Sequence, residues 1–206
     1  KNIWIVFNGE IYNFKNLKKY LLSKGYKFKS NTDTEVIINA YKHWGISFVK
    51  KLDGMFAIAI WDEKESQFIL ARDRMGEKPL YYFENQQDLI FSSEIFSLLQ
   101  NPLVPRNIDE ETLFQYLSIN CTLTKNCLLK KIKKLPPASL LIFKKNEKIK
   151  IFNYWNLSYY YKNKKNDIQP KHLITELNNL IENSVKMRLN ADVAVGAFLS
   201  GGIDSS

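Results

Sequence analysis

The apolar positions of the chain change period along its length. Ile3–Phe7 is β-branched and aromatic, which predicts a strand, and it runs straight into Asn8-Gly9-Glu10. Asn13 is placed to cap a helix reaching about Lys24, with Phe14, Leu17 and Leu21 on one face and Gly25 as the stop. Thr32 or Asp33 caps a second helix, whose residues Val36, Ile37, Ala40, Tyr41 and Trp44 keep helical spacing up to Gly45. Met55–Trp61 is then almost unbroken in its apolarity, as in a strand buried on both faces. Gln67–Arg72 is its return strand, and Leu80–Phe83 pairs with Leu89–Ser92 around the turn Glu84–Asp88. Asp109 caps a helix over Glu110–Leu117, and Ser139–Lys144 with Lys148–Tyr154 makes a late hairpin. Helices followed by paired strands predict α+β layers.

Beyond this the chain changes character. Trp155–Gln169 is polar and rich in Tyr, Asn and Lys, the composition of a linker. Pro170 opens a helix to about Leu189, with Leu173, Leu177, Leu180, Ile181 and Val185 on one face. Asp192–Leu199 reads as an apolar strand that leads at once into Ser200-Gly201-Gly202. Helix, strand and glycine-rich loop is how an α/β nucleotide-binding layer begins. The organisation expected is a first domain over 1–156, a linker over 157–169 and the beginning of a second domain over 170–206.

With 206 residues, 45% hydrophobic and 14% aromatic, the chain has the means to bury a sizeable core. Its net charge of +9 raises the question of nucleic acid or a membrane surface. The lysines are scattered among many Asn and Ile residues rather than clustered, and the runs Lys130–Lys134 and Lys162–Lys165 have little aromatic interleaving. A solvated surface is therefore expected, with no nucleic-acid or membrane partner. Two cysteines, Cys121 and Cys127, make no disulfide framework and suit a reducing, cytoplasmic setting. No apolar stretch has bilayer length. Lys1 is no initiator and already belongs to a strand pattern, and Ser206 falls where a helix should start, so the sequence reads as truncated at both ends.

Asn8 and Gly9 offer a side-chain NH₂ and an accessible backbone N–H, the donors an amide hydrolase needs for the anion formed on an attacked carbonyl. On those residues alone a strand-ending Asn-Gly turn is the competing reading. Asp33 has a similar alternative as a helix N-cap. Neither cysteine has a base beside it, so both read as inert. His43 and His172 lack ligand spacing.

The ordered set Phe7-Asn8-Gly9-Glu10-Ile11-Tyr12-Asn13, Thr32-Asp33-Thr34-Glu35, Leu52-Asp53-Gly54-Met55-Phe56-Ala57, Ala71–Tyr82 and Phe91-Ser92-Ser93-Glu94-Ile95 resembles the class II glutamine amidotransferases, and most closely the asparagine synthetase family. The resemblance implies an N-terminal-nucleophile-hydrolase-type sandwich of antiparallel sheets with helices, incomplete here, followed by the first helix and strand of an α/β nucleotide-binding domain. It also implies that Asn8 and Gly9 form an oxyanion hole, with Asn8, Glu10 and Asp33 holding glutamine. Arg72, Asp73 and Glu94 would support the fold, with Gly76 and Pro79 forming turns. The family's nucleophile is a cysteine at the mature N-terminus, upstream of this sequence, so the chain by itself is expected to hydrolyse no glutamine. Leu199-Ser200-Gly201-Gly202-Ile203-Asp204-Ser205-Ser206 resembles the pyrophosphate loop of the same family's synthetase domain. That implies ATP contacts from Leu199, Ser200, Gly201, Gly202, Asp204 and Ser205, with Asp204 on Mg²⁺. The implied activity is ATP-dependent transfer of the glutamine amide nitrogen to an adenylated carboxylate, that of aspartate. Alternatives are a relative amidating a sugar acid or peptide, or a β-lactam-synthetase-like enzyme. A homo-oligomer is compatible with all of them.

Overall fold

The structure is a computed structural model that describes residues 2–85, 87–122, 127–163, 170–189 and 193–203. It divides into two units, 1–159 and 160–206. In chain order the first unit contains β1 (Ile3–Ile11), α1 (Phe14–Ser23), α2 (Asp33–Trp44), β2 (Gly54–Asp62), β3 (Gln67–Arg72), β4 (Tyr81–Glu84), β5 (Leu89–Ser92), α3 (Ile95–Leu98), α4 (Glu110–Ile119), β6 (Lys133–Lys134), β7 (Ser139–Phe143) and β8 (Lys150–Asn153). A short helix α5 (Leu157–Lys162) follows, where the sequence suggests a linker, and α6 (Pro170–Arg188) belongs to the second unit.

Two antiparallel sheets form the first unit, one in the order β1-β2-β3-β7-β8 and one in the order β5-β4-β6. β2 explains why they stack. Phe56, Ile58 and Ile60 point into the core shared with α1 and α2, where they meet Leu21, Val36 and Ile37. Alternate residues point the other way. Ala57 and Ala59 are small and let Tyr82 of the second sheet and Leu80 just before it pack closely, together with Leu70 and Leu141. The unbroken apolar run of β2 is thus a strand covered on both faces, with large residues toward the helices and small ones toward the neighbouring sheet. A third cluster, containing Phe83, Leu98 and Ile132, covers the outer side of the small sheet. These antiparallel sheets with helices are the α+β arrangement expected.

The connection after β3 is organised by charged side chains that bond to backbone rather than to each other. Asp73 has no exposed surface. It accepts N–H bonds from Phe56 (3.2 Å), Met75 (3.1 Å), Glu77 (2.9 Å) and Lys78 (3.0 Å). Arg72 donates to the carbonyls of Lys78, Leu135 and Gly76 at 2.7, 2.8 and 2.6 Å. Gly76 adopts φ +71°, and a Cβ there would come within 2.8 Å of Pro137. Their supporting role in the fold is visible in these bonds.

One cap differs from expectation, and another is decided between two candidates. Asn13 precedes α1 but makes no side-chain cap bond. Its amide instead donates to the Lys51 carbonyl at 2.9 Å and accepts from the Asp53 N–H at 3.0 Å. At α2 it is Thr32 that caps, accepting from the Glu35 N–H at 3.4 Å, which releases Asp33 for another partner. Asp109 caps α4 as predicted, accepting from the Thr112 N–H at 2.9 Å.

In the second unit α6 spans the predicted helix, with Leu177 and Leu180 more than half exposed. Residues 193–199 form no strand, contrary to the apolar-strand expectation for Asp192–Leu199. A strand is defined by a partner that takes its N–H and C=O groups, and none pairs with this segment among the described residues. Apolar composition alone does not supply that partner.

Candidate functional site

Asn8, Gly9 and Glu10 lie inside β1, not in a turn. They pair in register with Ala57, Phe56 and Met55 of β2. The turn reading therefore fails, and Gly9 has a different reason to be glycine. Its φ is +153°, and a Cβ would lie 2.1 Å from the Met55 carbonyl oxygen. Gly54 faces the same restriction, 2.1 Å from the carbonyl of Glu10. The two strands approach too closely here for a side chain on either.

β1 is an edge strand among the described residues, so its amides alternate between β2 and open space. Tyr12 donates to the Asp53 carbonyl at 2.8 Å, and Asn2 donates to Glu63 at 2.7 Å. Both bonds point to the β2 side, so the even-numbered amides face β2 and those of Gly9 and Ile11 face outward. The Ile11 amide is taken by the Asp33 carboxylate at 3.1 Å. This bond ties the start of α2 to the end of β1 and sets an acid on the open edge two residues beyond Gly9. Asn13, Asp53 and Arg74 brace the same end. Arg74 donates to the Leu52 carbonyl at 2.8 Å and lies 3.7 Å from Asp53.

Asn8 and Glu10 share a strand face, about 7 Å apart along β1 from the strand rise. The Asn8 amide donates to the Ser93 hydroxyl at 2.9 Å. Both residues line a cavity of about 390 Å³ with Glu94, Ser97, Phe91 and Val6. Gly9, Glu10 and Asp33 are not among its lining residues, so the edge of β1 and not this cavity gathers the four predicted residues. Ser93 lies in one of the family-like motifs, but its pairing with Asn8 is not legible there, because it stands 85 residues away and no local pattern marks the pair.

Leu199, Ser200, Gly201 and Gly202 lie in an irregular exposed segment, with Gly201 at φ +72°. Asp204 and Ser205 lie outside the described residues. Cys127 is buried, and burial pushes its thiol up, while Cys121 is exposed. His43 packs among Tyr20, Tyr26 and Trp44. Among the described residues there is no cluster of three potential metal ligands and no helix long and apolar enough to cross a membrane. Lys133 pairs with Glu84 at 3.3 Å, and Lys134 stands over the Tyr81 ring, so the charge run is partly engaged by its own fold.

The family described as "Glutamine amidotransferase domain" matches residues 1–155. The chain belongs to the glutamine amidotransferase family. The family described as "Asparagine synthase" matches residues 176–206 of the same amidotransferase chain. Asparagine synthetase [glutamine-hydrolyzing] 1 of Bacillus subtilis is 38% identical over 98% of this chain and 31% of its own length. Asparagine synthetase [glutamine-hydrolyzing] 3 of the same organism is 35% identical over 98% of this chain and 32% of its own. The chain therefore spans about a third of the length of these relatives. Among solved structures, the glutamine phosphoribosylpyrophosphate amidotransferase of B. subtilis superposes with a TM-score of 0.52 at 21% identity, covering 74% of this chain and 29% of that one. At that identity the likeness concerns the fold alone, and it supports the α+β arrangement of antiparallel sheets with helices.

Proposed function

We propose that this chain supplies the glutamine-binding layer of a glutamine-hydrolysing asparagine synthetase, together with the opening of its synthetase domain. The supporting observation is the open edge of β1. There the Gly9 N–H points outward beside the Asn8 amide, and the Asp33 carboxylate is fixed at the next outward amide. A substrate carbonyl at that edge would meet two donors already held by a paired strand, which is how an anionic transition state is stabilised without reorganisation. Glu10 and Asp33 would grip the α-ammonium of glutamine through charge-assisted bonds. The nucleophile would be a thiolate at the start of the complete protein. Cys127 is a poor substitute, since burial raises its thiol away from the reactive form.

The second unit would serve ATP. The Ser200 hydroxyl and the amides of Gly201 and Gly202 are a donor set that fits phosphate oxygens, with no carboxylate among them. A Cβ on Gly201 would meet nothing within 4 Å, so its left-handed φ is the reason for glycine there and the loop is sterically open. ATP supplies the adenylyl group that turns an unreactive carboxylate, aspartate in this reading, into an electrophile. Asp204 is the residue proposed for Mg²⁺. A cytoplasmic location suits such an activity.

The test uses the complete protein. Given glutamine labelled at the amide nitrogen, aspartate and ATP, it should form labelled asparagine. The 206-residue chain alone should hydrolyse no glutamine. Label appearing in another acceptor while aspartate is ignored would overturn the acceptor assignment. Unchanged glutamine hydrolysis in Asn8→Ala would overturn the site.

A further inference from the structure

We infer that Ser93 is a positioning residue of the glutaminase site, holding the Asn8 amide in the orientation that stabilises the oxyanion. The inference rests on the site proposed above and adds a residue to it. The Asn8 side-chain nitrogen carries two hydrogens. One is directed to the Ser93 hydroxyl oxygen at 2.9 Å, and the second then projects at a fixed angle from the same planar group. Without that contact the amide rotates about its last torsion, which is broad for asparagine, and the free N–H loses its aim.

Nothing on the first sheet does this job from across the strand. The neighbour of Asn8 on β2 is Ala57, which has no polar side-chain atom. Ser93 comes from the second sheet and is held on both sides. Ser92 pairs with Tyr81 inside that sheet, and its hydroxyl accepts from the Glu94 N–H at 3.1 Å. Glu94 immediately precedes α3, whose Leu98 is anchored with 1% exposure. The Ser93 backbone is therefore held from both sides beside the Asn8 amide, whose N–H its hydroxyl accepts. An oxyanion donor is useful only when it is already in place as the charge develops.

The experiment compares the complete enzyme with Ser93→Ala, Ser93→Thr, Asn8→Ala and the double variant. It measures kcat and KM for glutamine hydrolysis, inhibition by glutamate γ-semialdehyde and the melting temperature. The aldehyde forms a thiohemiacetal whose oxygen occupies the oxyanion position. Loss of the donor itself in Asn8→Ala is expected to lower kcat on the order of 100-fold. Loss of its orientation in Ser93→Ala should lower kcat roughly 10-fold with KM little changed, and weaken the aldehyde by a similar factor. Ser93→Thr, which keeps the hydroxyl, should restore most of the rate. The double variant should be no slower than Asn8→Ala, because Ser93 acts only through Asn8. Should Ser93→Ala fail to fold, Ser93→Cys fills the same space with a weak acceptor and carries the comparison. Multiplying effects in the double variant would overturn the inference, and so would an unchanged kcat in Ser93→Ala beside a slow Asn8→Ala. An unchanged kcat in Asn8→Ala would remove the oxyanion site itself.

Discussion

Asp73→Ala probes how far the first unit depends on one carboxylate. The side chain has no exposed surface and collects four backbone N–H bonds, one from β2 and three from the connection after β3. Alanine leaves all four donors without that acceptor. The Phe56 amide is buried, so it bears an unsatisfied-donor penalty of about 2 kcal/mol. The other three bonds are partly buried, and water reaching those amides limits the loss to about 1 kcal/mol each. Removing the carboxylate also removes its own desolvation cost, which brings the net destabilisation to about 3–4 kcal/mol. That is a large share of the roughly 5–15 kcal/mol that holds a domain together. All four tryptophans, Trp4, Trp44, Trp61 and Trp155, lie in the first unit, so their fluorescence reports its unfolding. With a urea slope of about 2 kcal/mol per molar, the midpoint should fall by nearly 2 M. A midpoint within about 0.3 M of the parent would refute the view that Asp73 organises this connection.

Gly9→Ala would place a methyl 2.1 Å from the Met55 carbonyl oxygen at φ +153°, so it should part β1 from β2 and destabilise by more than about 3 kcal/mol in the same urea assay. Thiol labelling of the folded chain should modify exposed Cys121 quickly and buried Cys127 slowly, with both reacting at one rate once urea unfolds the protein. Acid should weaken the fold through Glu35 and Asp62. Burial raises both groups, but the Ser30 hydroxyl with two backbone amides at Glu35, and the Tyr41 hydroxyl with two backbone amides at Asp62, outweigh it and hold each below its ordinary value. With the folded value depressed, the stabilisation is complete above the unfolded values of 4.5 and 3.8 and is lost as pH falls through the lower folded values. Melting temperatures measured down the acid limb should show Asp62→Asn with a shallower decline than the parent.

Local signals carried most of the fold. The unbroken run at β2, the return strand β3 and the Asp109 cap each depend on residues close in sequence, and each forms where periodicity puts it. Where a local signal went unused or left a choice open, the cause is shared. Asn13 and Asp33 have side chains able to cap a helix, but tertiary partners offered more: the Asp53 and Lys51 backbone for one and the Ile11 amide for the other. The segment 193–199 has the composition of a strand but no neighbour among the described residues to complete it. In the site, the motif residues Asn8 to Glu10 and Asp33 were legible as types with matching chemistry. Their shared edge follows from which amides of β1 face outward, and that is a property of pairing rather than of any one residue. The Asn8–Ser93 contact joins two sheets and has no signature in either segment.

The open edge of β1 also has a colloidal consequence. Sheets ordinarily blunt such an edge with lysine, proline or a bulge, because unsatisfied amides in a row recruit any extended peptide. Between Phe7 and Tyr12 the sequence contains none of the first two, and Trp4 and Val6 are 63% and 65% exposed beside it. A barrier to stray strands here would equally bar a small amide from Gly9. Receptivity to ligand and vulnerability to edge-to-edge association are one property of this strand, and concentrated solutions of the 206-residue chain should therefore self-associate through it.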